Sequence, residues 1–454
     1  MIEAVSQWLK LSQVADMAQG ALRGEDAYIS SVSTDSRHLH KGDLFVALEG
    51  ERFDGHEFIN EQVEELAHGA MVHKQVTTSL PTITVDNTLQ GLTRWAKSWR
   101  KIVDPKLVAI TGSNGKTTVK QMVSNILSLA ASTCSTQGNL NNHIGVPLTL
   151  LTLRECHVYA VIEMGANHFG EIDHLSRLVE PDIAVITNAG PAHLEGFGSI
   201  EGVSRAKGEI MNGLGANGII VLNADDRYLS AWLAMAAEKK LTAVTFGFNA
   251  IADVKGLHYS DNNLMLEVDG EQLEVQLPFP GKHNACNALA AVAVAHQLQI
   301  DLIHIKNGLE HAHNVKGRLQ AKKGIAGSVI LDDTYNANPA SLEAAMDVLC
   351  AQAKEPWLVI GDFGELGDDA KEMHSKIGSQ AKSIGVKKLF ALGELAKNAV
   401  SSFGDNAYHF DSHDQLSKKL VRELNSHCCV LIKGSRAMHM EDIVNRLLES
   451  EAVH

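Results

Sequence analysis

The stretch LVAITGSNGKTTVKQMVSNILSLA, residues 107–130, predicts a buried strand, a glycine-rich turn and an amphipathic helix in direct succession. Glycines let backbone N–H groups approach phosphate oxygens, and the amino end of the helix adds about half a positive charge. Lys116 can reach the terminal phosphates of a nucleotide, and the Thr117 hydroxyl can bind Mg²⁺. The stretch therefore indicates a nucleotide-binding P-loop rather than a glycine turn that carries a surface lysine.

This turn is shorter than the common P-loop, because only two residues separate Gly112 from Gly115. The residues expected to contact ATP are Gly112, Ser113, Asn114, Gly115, Lys116, Thr117 and Thr118. GTPases add an N-K-x-D segment to their P-loop, and protein kinases combine H-R-D with D-F-G. Neither complete set is present, so the phosphate chemistry belongs to another class.

The composition bounds the remaining possibilities. A chain of 454 residues with 45% apolar and 21% charged residues suggests about three globular domains. The net charge of -14, without a dense Lys/Arg run, argues against broad nucleic-acid or membrane-surface binding. The longest apolar stretch, ALAAVAVA at 288–295, is far below the roughly 20 residues that cross a bilayer. With no signal peptide pattern and six cysteines without C-x-x-C spacing, we expect a soluble, cytoplasmic protein with free thiols.

The pattern of apolar runs predicts an α/β fold of three domains. Residues 1–103 form a small mixed unit, with a helix near Ser12, strands in GDLFVALEG, GAMVHK and PTITVDN, and a helix in HEFINEQVEELAHG. Residues 104–314 alternate apolar runs with helical stretches, the pattern of a parallel sheet, and contain the P-loop. Residues 315–454 repeat that alternation and predict a Rossmann-like α/β domain.

Polar residues follow the predicted parallel strands where each one ends. They include Lys116, Glu163, residues 188–193 and 332–333, Asp362 and residues 433–436. Ligands of open α/β sheets bind beyond the carboxyl ends of the strands. Two such sheets facing each other would form a cleft lined with these groups.

Three further motifs accompany the short P-loop: Glu163 after YAVI, the segment NAGPAHLEGFGS and the segment SRAKGEI. Together they resemble the Mur ligases, ATP-dependent amide-bond formers of peptidoglycan synthesis, and the resemblance extends over essentially the whole chain. It implies ATP and Mg²⁺ as cofactors, with the catalytic residues Lys116, Glu163, His193 and Lys207. Thr117, Glu163 and His193 would bind Mg²⁺, together with a carboxylated Lys207, whose carbamate oxygen suits a hard cation. For Lys207, the residues alone favour an exposed helical lysine that pairs with Glu201 or Glu209, and the resemblance reverses that preference.

The resemblance also implies ATP contacts further along the chain. Asn284 and Asn287, one turn apart on a predicted helix, would contact the adenine end, although asparagines near a helix start are often caps. Arg318 and Asp333 would hold ATP from the third domain. Asp332 competes with Asp333 for that role, and the match of DTYNAN favours Asp333.

The segments that would bind the other substrates resemble the last-acting ligases of the series, which join D-alanyl-D-alanine to UDP-N-acetylmuramoyl-tripeptide. STDSRHLHKGDLFVALEGERFDGHEF resembles a uridine-nucleotide-binding domain, with Ser36 and Arg37 as contacts. TQGNLNNHIGVPLTLL resembles a substrate loop, and DDTYNANPASLEAAM and VLIKGSRAMHMED resemble the dipeptide side. The implied contacts are Asn139, Asn141 and Asn142 in the loop, Asn336 and Asn338 for the incoming amine, and Lys433 and Arg436 for a carboxylate.

Alternatives stay open at this point. The asparagines could merely form loops, and KGSR could be a solvated turn. The preceding Mur ligase and the folylpolyglutamate synthetases share the chemistry, although the latter place the P-loop nearer the amino terminus. A nucleotide-binding scaffold without catalysis is the alternative from another class. We expect a monomer, although no motif specifies the oligomeric state.

Overall fold

The computed structural model describes residues 7–313 and 315–449, which build three α/β units along the chain. The first unit contains β1 (Leu9–Lys10), α1 (Leu11–Ala18), β2 (Ala21–Arg23), β3 (Tyr28–Ile29), β4 (Ser31–Ser33), β5 (Asp43–Val46), α2 (Glu61–Leu66), β6 (Ala67–Val72), β7 (Thr82–Thr84) and α3 (Thr88–Val103). Short 3-10 helices span Ser36–His38 and Gly55–Phe58. A five-stranded sheet has the order β2-β7-β6-β5-β4, and β1 pairs with β3 beside it.

The helix expected in residues 56–69 is shorter in the structure. Asn60 caps α2 by accepting a hydrogen bond from the Val63 N–H, and the preceding Gly55–Phe58 turn is a separate 3-10 helix. From Ala67 the chain is extended as strand β6, whose residues are mostly buried between β5 and β7. Strand pairing therefore outweighs local helix propensity at the end of this segment.

The central unit carries the P-loop. Its elements are β8 (Lys106–Thr111), α4 (Lys116–Ala130), β9 (Thr133–Ser135), α5 (Gly145–Leu150), β10 (Tyr159–Glu163), α6 (Glu171–Val179), β11 (Ile183–Ile186), α7 (Leu194–Phe197), α8 (Ile200–Gly208), the 3-10 helix Glu209–Gly213, β12 (Ile219–Asn223), α9 (Leu229–Glu238), β13 (Thr242–Gly247), β14 (Val254–Ser260), β15 (Asn263–Val268), β16 (Glu271–Gln276), α10 (Lys282–Gln297) and α11 (Leu302–Glu310). The sheet order is β16-β15-β14-β13-β12-β11-β8-β10-β9. Strands β8 to β14 pair in parallel, and two antiparallel pairings add β15 and β16.

Strand β8 lies between β10 and β11. The chain leaves β8 toward the β9 and β10 side of the sheet and later crosses from β10 to the β11 side. The carboxyl end of β8 is therefore a point at which the direction of the connections reverses. Such a switch point opens a crevice beyond the sheet because the flanking loops diverge. The P-loop occupies this crevice, with the end of β10 on one side and the end of β11 on the other. The fold thus brings residues 112–118, Glu163 and residues 187–193 to one edge of the sheet.

The third unit contains β17 (Gln320–Lys323), β18 (Val329–Asp333), α12 (Pro339–Gln352), β19 (Glu355–Gly361), α13 (Ala370–Ser383), β20 (Lys388–Leu392), α14 (Lys397–Phe403), β21 (Ala407–Phe410), α15 (His413–Glu423), β22 (Cys428–Lys433) and α16 (Glu441–Leu447), with 3-10 helices at Ile325–Gly327, Gly367–Asp369 and Arg436–Met438. Its sheet order is β17-β18-β22-β19-β20-β21, and all pairings are parallel except that of β17 with β18. Apolar clusters cover both faces of this sheet. The α/β fold with three units is confirmed.

Helix α3 joins the first unit firmly to the central one. Trp95 and Trp99 of α3 pack on Trp8, and the Arg154 guanidinium lies 4.2 Å from the Trp8 ring. Arg100 donates hydrogen bonds to the carbonyl groups at 179 and 180. A single apolar cluster runs across both units, so they share a core. Within residues 7–313 and 315–449, every helix is too short or too polar to cross a membrane.

Candidate functional site

A large recess lies where the carboxyl ends of the central and C-terminal sheets face each other. Its main cleft has a volume of about 1260 Å³, and a smaller cavity of about 320 Å³ adjoins it. Asn114, Val315 and Arg318 line both. The two volumes therefore lie side by side between the central and C-terminal units, with the P-loop at their junction.

The P-loop turn has no room for side chains at its glycines. Gly112 has a φ of 146° and Gly115 a φ of 82°, both in the region that favours glycine. A Cβ atom at Gly112 would collide with Thr187 Oγ1, and one at Gly115 would collide with Asn287 Oδ1. The backbone of Asn114 is held by bonds to the end of β11. The turn is thus a rigid cradle whose shape depends on glycine.

Gly115→Ala is expected to weaken ATP binding by at least about tenfold, because the new methyl group displaces Asn287 beside the turn. The matched control is Gly270→Ala, since Gly270 has a φ of 80° but a methyl group there would meet no described atom within 4 Å. Both variants should lose about 1–2 kcal/mol of unfolding free energy from the left-handed backbone. Calorimetric titration with ATP and urea unfolding measure the two effects. Equal ATP affinity in both variants would contradict this reading of the turn.

Lys116 begins helix α4 and bends back over the turn. Its Nζ donates hydrogen bonds to the carbonyl oxygens of Gly112, at 2.7 Å, and Ser113, at 3.2 Å. Burial lowers the pKa of Lys116, and the Glu163 carboxylate works in the opposite direction. A partly desolvated ammonium at this position is suited to phosphate oxygens. Thr117 and Thr118 follow it, and both border the recess.

Glu163 ends strand β10 and is buried in the cleft wall. Its Oε1 accepts a hydrogen bond from Asn141 Nδ2 at 2.9 Å, whereas Oε2 has no hydrogen-bond partner among the described residues. Opposite it, His193 Nδ1 lies 2.5 Å from Glu365 Oε2 of the C-terminal unit. The contact lacks hydrogen-bond geometry at Nδ1, so it is defined by its distance alone. The contact with His193 lowers the pKa of the Glu365 carboxyl.

Lys207 lies in helix α8 and is 1% exposed, which excludes the exposed-lysine interpretation. Glu201 instead accepts a hydrogen bond from Tyr228, and Glu209 accepts bonds from the Gly170 N–H. Burial lowers the pKa of Lys207 to about 7, and the positive charge of Lys116 contributes to that lowering. Much of this side chain is therefore a neutral amine near pH 7.

The smaller cavity contains the two asparagines expected at the adenine end of ATP. Asn284 and Asn287 line it together with part of the P-loop, and Asp333 and Lys433 line it as well. Gly281 occupies the cap position of α10, and the Asn284 side chain donates to the Pro280 carbonyl, so neither asparagine is the cap. Both amides border the cavity, where a ligand could contact them.

Asp332 and Asp333 are both buried but point to different partners. Asp333 accepts from the Leu319 N–H, while Asp332 pairs with Lys322 at 2.6 Å. Lys433 Nζ lies 2.5 Å from Asp333 Oδ2 and the residue is 1% exposed. Lys433 thus borders the smaller cavity rather than the main cleft, and its proposed role in binding a carboxylate stays a prediction.

The C-terminal unit reaches across the recess to the P-loop. Asn338 caps α12 and also donates from Nδ2 to Asn114 Oδ1 at 2.7 Å. The Arg318 guanidinium lies 4.2 Å from the Tyr335 ring, and its buried Nε finds no acceptor within residues 7–313 and 315–449. The two units are therefore in contact, with an unsatisfied cationic group facing the recess.

The candidate substrate residues divide into two groups. The main cleft is lined by Asn139, Asn141, Asn142, Asn336, Asn338 and Arg436. Asn142 also accepts from backbone N–H groups at the start of α5, as a loop-forming asparagine does, and Arg436 pairs with Glu441 at 2.7 Å. Ser36 and Arg37 lie in the N-terminal unit, outside the residues that line the recess. Arg37 is exposed and pairs with Asp35.

Lys120 and Glu365 are among the charged residues of the cleft that were not predicted. Lys120 lies one helical turn after Lys116, and that spacing on one helix face is a signal that the sequence itself carries. Glu365 follows strand β19 in a left-handed conformation, with a φ of 61°. Its contact with His193 depends on the approach of two units, which no local pattern encodes.

A short P-loop at a switch point, with a facing Rossmann-like unit, defines a class of three-unit P-loop proteins. Family models match the chain as the Mur ligase middle domain over residues 110–295, as the Mur ligase glutamate ligase domain over 317–436, and as the Mur ligase family catalytic domain over 28–79. The chain belongs to the Mur ligase family.

Relatives within the family extend over nearly the whole chain. UDP-N-acetylmuramoyl-tripeptide--D-alanyl-D-alanine ligase of Escherichia coli is 39% identical, covering 97% of this chain and 98% of its own. A crystal structure of MurF from Acinetobacter baumannii has a TM-score of 0.91 at 36% identity, covering 98% and 100%. MurF ligase from Thermotoga maritima in complex with ADP has a TM-score of 0.81 at 27% identity, covering 92% and 96%.

Proposed function

We propose that this chain, an ATP-dependent peptide ligase of the Mur family, joins D-alanyl-D-alanine to UDP-N-acetylmuramoyl-tripeptide. The products are the UDP-muramoyl-pentapeptide, ADP and phosphate, so the reaction supplies a precursor for peptidoglycan, the polymer that underlies cell wall biogenesis, cell shape and cell division. The observation that carries the proposal is the recess in which the P-loop, Glu163 and Arg318 meet. The near full-length relatives of this name support it.

The reaction begins with the terminal carboxylate of the tripeptide. One of its oxygens forms a bond to the γ-phosphorus of ATP as the bond from that phosphorus to the β,γ-bridging oxygen breaks, giving an acyl phosphate and ADP. The amine of the dipeptide then adds to the carbonyl carbon. The tetrahedral intermediate loses inorganic phosphate, the nitrogen gives up a proton, and an amide remains.

The side chains of the recess suit these steps. Lys116 and Arg318 bring positive charge to the transferring phosphoryl group, where two anions must meet in a chain of net charge -14. Asn338, already in contact with the P-loop through Asn114, is proposed to orient the incoming amine. Closure of the third unit over the recess would keep water from an acyl phosphate that it would hydrolyse.

The residues present fit Mg²⁺. Glu163 Oε2 is a buried carboxylate oxygen without a hydrogen-bond partner in the described part of the chain, and Thr117 lies in the first turn of the neighbouring helix. Mg²⁺ is usually held by one or two carboxylates together with substrate phosphates. The Glu365 carboxylate contacts Nδ1 of His193, so Nε2 would remain available for the cation. In such an arrangement the carboxylate orients the imidazole. When bound, Mg²⁺ neutralises phosphate charge.

Lys207 is proposed to carry a carboxyl group derived from CO₂. A neutral amine is the form that reacts with CO₂, and the lowered pKa of Lys207, about 7, makes that form abundant. An unmodified ammonium here would be buried 5.5 Å from the centre of the Phe197 ring and would repel a cation. A carbamate would instead offer oxygen to Mg²⁺.

The cytoplasm is the proposed location. All six cysteines are free and lie in the described part of the chain. Free thiols are typical of a reducing compartment.

An acceptor assay tests the proposed function. Purified protein is incubated with ATP, Mg²⁺ and UDP-muramoyl-tripeptide, and phosphate release is measured with D-alanyl-D-alanine or with single amino acids. We expect release only with the dipeptide, together with a pentapeptide product in mass spectrometry. Release with UDP-muramoyl-dipeptide and one amino acid would identify the preceding Mur ligase instead, and release with folate and glutamate a folylpolyglutamate synthetase. No release with any acceptor would indicate a scaffold.

A further inference from the structure

Lys120 is a buried cation in the wall of the main cleft, and the proposed steps leave it without a role. It lies on α4 one turn after Lys116, and the residue is 5% exposed. Its Nζ donates to the Thr136 carbonyl at 2.6 Å and forms a buried ion pair with Glu163 Oε2 at 3.8 Å, a separation beyond hydrogen-bond distance. An ammonium has three N–H donors, so donor capacity remains.

The charges around Lys120 call for an additional anion. Among the described residues, Lys116 bonds backbone carbonyls alone and the Arg318 Nε has no acceptor. Glu163 is the nearby carboxylate, and it would be shared with Mg²⁺. Burying cations without matching negative charge is costly, so the loaded site must supply anions.

The position of Lys120 indicates which anion it would meet. Asn114 and Arg318 border both parts of the recess, but Lys120 lines only the main cleft, on the side of Asn139 and Asn141. That side is away from the Asn284 and Asn287 cavity, where the nucleoside would lie. The triphosphate therefore reaches Lys116, and the substrate that occupies the main cleft reaches Lys120.

We propose that Lys120 binds the terminal carboxylate of the UDP-muramoyl-tripeptide and holds it for attack on the γ-phosphate. This inference rests on the proposed function and adds a catalytic residue to it. Lys120 takes no part in proton transfer in this proposal, and its task is to bind the negative charge of the carboxylate. Lys116 then binds the triphosphate and Lys120 binds the carboxylate, from successive turns of one helix.

A purely structural role is the competing explanation. Lys120 bonds Thr136, and Thr136 Oγ1 accepts from the Glu163 N–H at 3.0 Å, so the lysine also fixes the edge of β10. Loss of the Thr136 anchor would weaken the binding of both the nucleotide and the tripeptide substrate. Loss of a carboxylate ligand would weaken the binding of the tripeptide substrate alone. Lys120→Gln keeps a donor for Thr136 without the charge, and Lys120→Met removes both.

The experiment compares UDP-muramoyl-tripeptide with its C-terminal carboxamide by calorimetric titration, with ADP and Mg²⁺ present so that no transfer occurs. We expect the parent to bind the carboxylate at least about 30-fold more tightly than the amide, as for a buried charge pair. Lys120→Gln and Lys120→Met should reduce this preference to about threefold and keep ADP affinity within about twofold. Lys120→Arg should retain most of the preference.

The control is Lys418→Met, which changes an exposed lysine of α15 and should leave both affinities as in the parent. Retained ADP binding shows that each variant is folded. If Lys120→Met unfolds, Lys120→Gln alone tests the proposal. An unchanged carboxylate preference in the folded neutral variants would overturn the role of Lys120 alone. A parent that does not bind the UDP-muramoyl-tripeptide would overturn the proposed function, and this inference with it.

Discussion

Lys116→Ala is expected to reduce phosphate release by about a thousandfold or more while leaving the affinity for UDP-muramoyl-tripeptide within about threefold. Lys116 bends over the glycine turn and places its ammonium where the terminal phosphates of ATP would lie. Its removal takes away charge stabilisation that grows as the phosphoryl group is transferred. The uridine end of the other substrate belongs to the N-terminal unit in our proposal, so its binding should persist.

Steady-state phosphate release and calorimetric titration measure the two effects separately. Lys376→Ala is the matched control, because this exposed lysine of α13 pairs with Glu372 on the same helix, away from the recess. The control should retain full activity. Phosphate release by Lys116→Ala within about tenfold of the parent would refute the assigned role.

Lys207→Ala is expected to lose about 100-fold in activity, the scale seen when a group that orients or binds a metal is removed. The variant leaves a small space beneath the cleft in place of a buried side chain. Added formate or acetate should restore part of the activity if the parent supplies a carboxylate there. Lys207→Arg, which cannot react with CO₂ in this way, should be inactive and should not respond to these anions.

The pH dependence of CO₂ reactivation gives a second readout for Lys207. Because the pKa of Lys207 is about 7, the reactive amine predominates above that pH and the ammonium below it. Parent protein depleted of CO₂ should therefore regain activity more completely near pH 8 than near pH 6 when bicarbonate is returned, about one unit on either side of the pKa. An intact mass without the added carboxyl group, with activity independent of CO₂, would contradict the carbamate.

Periodicity and glycine placement were enough to predict the strand, turn and helix of residues 107–130. They determined the P-loop because each feature is local: burial of an apolar run, a backbone that needs glycine at 115, and a helix that begins at Lys116. The carboxyl ends of β10 and β11 then follow from parallel pairing on either side of β8. Hence the sequence pattern alone is sufficient to place Glu163 and His193 at the same edge of the sheet.

Contacts between units could not be predicted in the same way. Glu365 meets His193 and Asn338 meets Asn114 only because two sheets face each other, and the orientation of those sheets is set by many weak contacts. Lys433 looked like a basic loop residue, but it ends a buried strand and pairs with Asp333. Helix α3 was not predicted, although the Asn87 cap and the helical spacing of buried Leu92, Trp95 and Trp99 are signals that the sequence carries.

The central claim is that the compressed glycine turn presents ATP to a substrate carboxylate in the recess between two sheets. A crystal structure with a non-hydrolysable ATP analogue and Mg²⁺ tests it most directly. We predict the triphosphate against residues 112–118, the adenine beside Asn284 and Asn287, and the γ-phosphate facing the main cleft. A triphosphate bound elsewhere, or a γ-phosphate turned away from that cleft, would contradict the account.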